Sequence, residues 1–208
     1  MEMIVVVGLV SALLAFVAPN FINLMPNRKA QISEISSFLE MARARAIATR
    51  QDIYVVFGNE NFPEPEYRYR AYSMFASVSS AEEARPIGVR ELIQVDRWEF
   101  LTADMVFAKK EDFSYRSDAP LCVMDSNQTR VFEYQKLEQK HSATLPYLLF
   151  NKTGRVEVPN FQGKDIHVGI IEGVFGPGGR IVRSGQGDQV GELLLLSPLT
   201  GKITPLDR

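Results

Sequence analysis

Cysteine and histidine are scarce in this 208-residue chain, which holds one Cys, at position 122, and two His, at 141 and 167. A lone cysteine excludes an internal disulfide and leaves either a buried structural thiol, the favoured reading, or a residue able to pair between chains. Nucleophilic catalysis needs a nucleophile, a base and an orienting group, and only His141 and His167 are available as histidine bases. His141 falls in the polar run EQKHSAT, whereas His167 opens an apolar strand and suits a structural role. No set of His, Cys, Asp and Glu has the spacing of a metal site. No catalytic residue, metal or cofactor is therefore expected.

An excess of charge of one sign is missing too. The chain carries 23 basic and 25 acidic groups; leaving out Glu2, residues 28–208 hold 24 acidic groups against the same 23 basic ones, a net charge of −1. Such a surface gives no electrostatic reason to expect nucleic acid as a partner. Arg43, Arg45 and Arg50 hint at an anion patch, but they share a helix with Glu34 and Glu40 and read as its solvated face. The Gly-rich stretch Gly173–Gly191 lacks the lysine of a phosphate-binding GxxxxGK[ST] loop and is not a GxGxxG turn opening a helix, so it reads as a flexible loop between the last strands.

What the chain does have is one long hydrophobic run with a charge at its mouth. Glu2 is the only charged side chain in the first 27 residues, and Met3–Ala18, MIVVVGLVSALLAFVA, continues for sixteen residues without a charge, Asn, Gln or Pro. Ten of the sixteen are Leu, Ile, Val or Phe. At roughly 0.3–0.6 kcal/mol each they contribute about 3–6 kcal/mol toward membrane insertion, which a terminal carboxylate does not cancel. The pattern resumes after Pro19 and Asn20 with Phe21, Ile22, Leu24 and Met25. A helix from Met1 to Met25 would be about 37 Å long, enough to span a bilayer. A cleaved secretory signal would start with basic residues, and Glu2 has the wrong sign. Arg28 and Lys29, the nearest positive charges, lie beyond the run and would draw that end toward the cytoplasm, so the chain is either inverted or lacks its true N-terminus.

Composition beyond residue 27 is globular, and one domain of about 100–200 residues is the natural expectation. Between Arg28 and Gln51 the apolar residues Ile32, Ile35, Leu39, Ala42 and Ala46 fall 3, 4, 3 and 4 apart, flanked by Phe38 and Met41, which predicts one apolar stripe on a polar helix. Only Met25-Pro26-Asn27 separates it from the hydrophobic run, so a single long helix bent near Pro19 or Pro26 is expected, its second half lying on the globular domain. From Asp52 the period changes to short β-branched or aromatic runs bounded by Pro, Gly, Asn and Asp: DIYVVF, YRYRAYSMFASV, LIQVDRWEFL, DMVFA, RVFEYQ, LPYLLF, RVEV, HVGIIEGVF and ELLLLS. These read as antiparallel strands, YRYRAYSMF as one with a wet face. YLLF-NKTG-RVEV and ELLLLS-PLTG-KITPL each set two strands around a four-residue turn ending in Gly, a hairpin pattern. Residues 59–66, 77–87 and 109–119 are expected to be exposed loops.

The order of these elements resembles type IV prepilin-like proteins. EMIVVVGLVSALLAFVAP places a Glu, an apolar helix and a Pro seventeen residues after the Glu, as that superfamily does. ISSFLEMARARAIATRQDIYVVF and YLLFNKTGRV are similar to the helix, first strand and hairpin of the GspH/FimT group of minor pseudopilins and pilins. RYRAYSMF, the Trp-Glu-Phe-Leu segment and the terminal LLSPLTGKI hairpin look most like the Verru-Chthon cassette protein D group. The resemblance implies that Glu2 is an assembly residue, its carboxylate facing the N-terminal amine of a neighbouring subunit, and that Pro19 is the helix-bending proline. It also implies a short basic leader ending in Gly, then a Phe that is methylated; none of this precedes Met1, so an internal start or a removed leader is expected.

The combined expectation is an α+β, pilin-like fold: residues 1–27 a transmembrane helix, 28–51 its amphipathic continuation, and 52–208 a β-rich periplasmic or extracellular head. The expected role is a non-enzymatic minor pilin or pseudopilin that assembles through its N-terminal helix into a type IV pilus or a fibre like the type II secretion pseudopilus. The alternative is a monomeric, membrane-anchored β-domain with ligand-binding or enzymatic activity. Expected partners are other pilin-like subunits, inner-membrane lipid, and prepilin peptidase acting on the precursor. The expected location is the bacterial inner membrane, crossed once, with the head in the periplasm or on a fibre at the cell surface.

Overall fold

A computed structural model describes residues 28–77, 92–112, 121–125, 128–136, 139–157, 165–176, 179–182 and 192–206. Among the described residues one α-helix, α1 (Arg28–Thr49), comes first and closes with Arg50 in the left-handed conformation, φ 52°. The strands follow: β1 (Ile53–Phe57), β2 (Ala71–Ser77), β3 (Leu92–Gln94), β4 (Glu99–Phe100), β5 (Met105–Phe107), β6 (Leu121–Cys122), β7 (Thr129–Lys136), β8 (Gln139–Phe150), β9 (Val156–Glu157), β10 (Ile166–Gly176), β11 (Gly179–Val182), β12 (Glu192–Leu196) and β13 (Ile203–Leu206). They form two sheets. Sheet one has the order β3-β2-β1-β8-β7, with β4 also on β2 and β9 on β8; sheet two has the order β11-β10-β12-β13, with β5 and β6 also on β10. Every pairing is antiparallel except β6 with β10.

The helix holds the two sheets together. Ile32, Ile35, Phe38, Leu39, Ala42 and Ala46 are buried in one cluster with Val55, Met74 and Leu148 of sheet one and Ile170, Leu194 and Ile203 of sheet two. Each of the four larger side chains contributes roughly 1.5–3 kcal/mol by burial. Met41, on the flank, stays 48% exposed. An edge-to-face run of rings joins the layers: Phe38 meets Tyr72 at 4.8 Å, Tyr72 meets Phe107 at 6.0 Å, and Phe107 meets Phe57 at 5.1 Å.

The centre of sheet one is buried on both faces. All five residues of β1 and all seven of β2 are buried, so β2 lacks the wet face expected of it. The reason is that the sheet curls: the first eight residues of β8 pair with β7, its last four pair with β1, and the edges β3 and β7 come into contact. Phe132, Tyr134, Ala143 and Leu145 thereby cover the face of β1 and β2 that α1 does not reach, packing on Tyr54, Val56 and Phe75. The LIQVDRWEFL run is likewise two short strands, β3 and β4, on either side of a bend at residues 95–98.

The two glycine turns meet at the helix. In the first, Gly154 donates to Asn151 O at 2.7 Å, and Asn151 Oδ1 accepts from the amides of Thr153 and Arg155; in the second, Gly201 donates to Ser197 O at 2.7 Å. Both glycines have positive φ, 77° and 64°. The Val156 amide donates to Pro198 O at 3.1 Å, tying one hairpin to the other.

The expected α+β fold with a long N-terminal membrane-spanning helix is corrected. The described residues are mostly β, with a single 22-residue helix on the sheets. Residues 1–27, including Glu2, Pro19 and Pro26, lie outside the described residues. No helix among the described residues is long and apolar enough to cross a membrane, which conflicts with the expected single pass through the bacterial inner membrane. The physical reason lies in α1 itself: Arg28, Lys29, Glu34, Glu40, Arg43 and Arg45 charge it, at roughly 2.5–3.5 kcal/mol for each Lys or Arg placed at a bilayer centre.

Gly201 generates a stability test. A Cβ there would run into the carbonyl oxygen of Gly154 and lie 3.1 Å from Arg43 Nε, in addition to adopting a left-handed backbone. Gly201→Ala is expected to cost about 2 kcal/mol or more and to lower the melting temperature by roughly 4–8 °C. Lys152→Ala, at an exposed site in the neighbouring turn, is the control, and equal melting of the two variants would refute the role given to Gly201.

Candidate functional site

The residues singled out in the sequence do not converge. The stripe Ile32, Ile35, Leu39, Ala42 and Ala46 is interior. Arg45 and Arg50 are exposed, while Arg43 reaches Glu40 at 3.5 Å and packs beside Gly201. His167 is buried in β10, opposite Leu195 of β12 and Cys122 of β6. His141 lies across from Tyr134 in the β7–β8 pair, the two rings stacked at 5.7 Å. Part of the Gly-rich stretch is not a loop: Gly173–Gly176 belongs to β10 and pairs with β11. No group of three or more His, Cys, Asp or Glu suited to a metal ion occurs among the described residues.

Two polar groupings are internally satisfied. Cys122 is buried, its Sγ donates to Ala108 O at 3.2 Å, and burial pushes the thiol pKa up to about 12. Tyr69 takes φ 60°, and its hydroxyl donates to Glu60 Oε2 at 2.5 Å, with the Lys109 ammonium 5.2 Å from the ring centroid. That hydrogen bond lowers the Glu60 pKa, while burial and the same carboxylate raise that of Tyr69.

A groove between the two edges of sheet one is different. It has a volume of about 850 Å³ and is lined by β3 and the bend at residues 95–98 on one side and by Glu133, Tyr134 and Lys140 on the other. The bend is pinned from below: Gln94 Nε2 donates to Ser73 Oγ at 3.1 Å, Ser73 Oγ donates to Asp96 O at 2.9 Å, and Val95 N donates to Met74 O at 2.9 Å. It presents Trp98, the only tryptophan of the chain, at 5.3 Å from Tyr134. Phe62 supports both rings, edge-on to Trp98 at 4.9 Å and parallel to Tyr134 at 6.0 Å.

Phe62 falls in a stretch expected to be an exposed loop, yet it is 2% exposed, and Asn59 beside it is buried with its amide donating to Thr144 O at 3.3 Å. Trp98 Nε1 and Tyr134 Oη are shielded from solvent and have no hydrogen-bond partner among the described residues. Burial and the charge of Glu64 raise the Tyr134 pKa, so its hydroxyl stays protonated. The rings of Trp98 and Tyr134 thus back the groove with their polar atoms turned away from solvent, and Asp96 and Glu133 are balanced by Arg97 and Lys140 around them. Sequence reading missed it because it joins residues nearly forty positions apart; an isolated Trp beside Asp-Arg was the one available signal.

No protein-family model matches the chain, and neither does any curated protein or solved structure. The resemblance to prepilin-like proteins rests on the sequence motifs alone.

The two satisfied groupings yield predictions. With its pKa near 12, the Cys122 thiol is expected to resist a disulfide reagent at pH 8 in the folded chain and to react once the chain is unfolded; equal rates in both states would contradict its placement. Glu60, lowered from 4.5, contributes stability that is present above that value and is lost as pH falls through its folded pKa; Tyr69, raised from 10.0, contributes stability present below 10.0 and lost as pH rises through its folded pKa. Tyr69→Phe is expected to cost about 1 kcal/mol at pH 7, a difference from the parent that shrinks below pH 4.5. Denaturant unfolding at pH 3.5 and 7 checks it.

Proposed function

We propose that the chain is a structural, non-enzymatic subunit of the type IV prepilin-like class, a minor pilin or pseudopilin of the GspH/FimT kind, closest in pattern to the Verru-Chthon cassette protein D group. It acts by assembling with similar subunits, through its N-terminal segment, into a fibre of the type IV pilus or secretion-pseudopilus sort. The observation that carries this reading is Glu2 set directly before sixteen residues free of charge, with Pro19 seventeen positions on. Association buries such a run. A carboxylate buried with it is costly unless an opposite charge pairs with it, and a neighbouring subunit's amine supplies one.

The fold supports the reading through α1, whose described residues start at Arg28 and whose apolar stripe is buried against both sheets. A contact made by residues 1–27 is therefore transmitted to a domain of two sheets. Processing of a longer precursor by prepilin peptidase belongs to the same proposal.

Replacing Glu2 by Ala in the full chain tests it. Co-isolation of two differently tagged copies is expected to fall at least about tenfold, on the order of the 1.4 kcal/mol or more that an unpaired buried charge costs, while the domain's melting curve is unchanged. Unchanged co-isolation would remove the proposal and favour a monomeric domain acting through the groove.

A further inference from the structure

We infer that sheet one opens locally along the seam between β3 and β7: the ends of β7 and β8 at Tyr134 and His141 swing away from Trp98 on a hinge at Pro146, in a motion separate from unfolding of the domain. The inference does not depend on how the N-terminal segment is used. It begins with what closes the seam. β3 and β7 stand at the two ends of the strand order of sheet one and come into contact, but among the described residues no ladder joins them. Rings meet there instead: Trp98 lies 5.3 Å from Tyr134, and Phe62 packs against both. Apolar packing of this kind is non-directional and sets no register between the two edges.

The two sides of the seam are anchored unequally. The Trp98 side is fixed to β2, because Gln94 donates to Ser73 Oγ, Ser73 to Asp96 O and Val95 N to Met74 O. The other side is held only at its base. β7 pairs with the first eight residues of β8, and β8 joins β1 only from Tyr147 onward, so beyond Pro146 the two strands form a hairpin of their own. A two-stranded hairpin by itself is marginally stable at best. Its ties to the rest of the sheet gather near that base: Tyr147 N donates to Gln128 O at 3.3 Å, Asn59 Nδ2 to Thr144 O at 3.3 Å, and Arg130 Nη1 to Tyr54 Oη at 3.4 Å. Phe132, Ala143 and Leu145 pack on Tyr54, Val56 and Phe75. Tyr134 and His141, paired with each other, lie farther from the hinge.

The closed form carries its cost at the same place. Trp98 Nε1 and Tyr134 Oη are shielded there without a partner among the described residues, and buried donors left unbonded are uncommon in folded proteins. Opening gives both groups to water, so the hydrogen bonds recovered offset part of the apolar contact that is broken. The groove, lined from both sides of the seam, marks where solvent enters.

Trp98 makes the test direct, because it is the only tryptophan in the chain and its indole N–H gives a single resonance. Deuterium exchange of that N–H is followed in the full chain, beside the amides of β1, at several urea concentrations below the unfolding transition. Indole protection is expected to be at least about tenfold weaker than that of the slowest β1 amides and nearly independent of urea, as for an opening that exposes little surface. Protection equal to that of β1, with the same urea dependence, would mean that the seam parts only on global unfolding and would overturn the inference. Exchange at the rate of free tryptophan would overturn it too, by denying the closed form.

Tyr134→Phe relieves the closed form of one unsatisfied group. It is expected to slow indole exchange at least about fivefold and to leave the melting temperature unchanged or raised. Unchanged or faster exchange, or lower melting, would show that the hydroxyl is satisfied in the closed form and would count against the opening.

Discussion

The burial of one stripe of α1 against two sheets at once is the interaction on which the rest of this domain depends. Neither sheet closes on the other directly over its whole length; Ile35, Leu39 and Ala42 fill the space where β1, β8, β12 and β13 approach the helix. The small residues matter as much as the large ones. Ala42 and Ala46 are fully buried, so at the C-terminal half of α1 the backbone of the two hairpin turns comes close. There Gly154 lies against Ile47 and Gly201 against Gly154 and Arg43. The three elements share contacts, and a side chain added to either turn displaces one of the others.

That arrangement explains which parts of the fold were legible in the sequence. The stripe spacing in α1 and the paired NKTG and PLTG turns are local patterns set by backbone geometry, and local patterns survive whatever surrounds them. Partner exchange along a strand is not local. Nothing in LPYLLF tells that Pro146 is where β8 leaves β7 for β1, although a residue without an amide donor suits that point. Because of the exchange, sheet one curls and β2 is buried on both faces, against the alternation of YRYRAYSMF. Phe62 and Asn59 were misplaced for the same reason: the curl supplies Tyr134 and the Thr144 carbonyl as neighbours that no sequence window contains.

The candidate site was less legible still. Glu2, the most informative residue in the sequence, lies outside the described residues, and the groove is built from residues that the motifs named only as strands, as a polar run or as part of the Trp-Glu-Phe-Leu segment. Two tyrosines of the molecule differ in how their hydroxyls are satisfied. Tyr69 and Tyr134 are both buried tyrosines with raised pKa values, but Tyr69 donates to Glu60, whereas Tyr134 Oη has no partner. An unsatisfied buried hydroxyl costs about 1–3 kcal/mol, and phenylalanine at that position would avoid the cost. Among the described residues three shielded side-chain atoms have no partner, Arg43 Nε as well as Trp98 Nε1 and Tyr134 Oη, so such atoms are not confined to the groove.

The two faces of β1 and β2 are covered in different ways. α1 packs on one face, over Val55, Met74 and Leu148, while the other is covered by Phe132, Tyr134, Ala143 and Leu145 from β7 and β8 of the same sheet. The second cover depends on the change of partner along β8, because in a flat sheet β7 would lie beyond β8 and its rings would meet solvent instead of Tyr54, Val56 and Phe75.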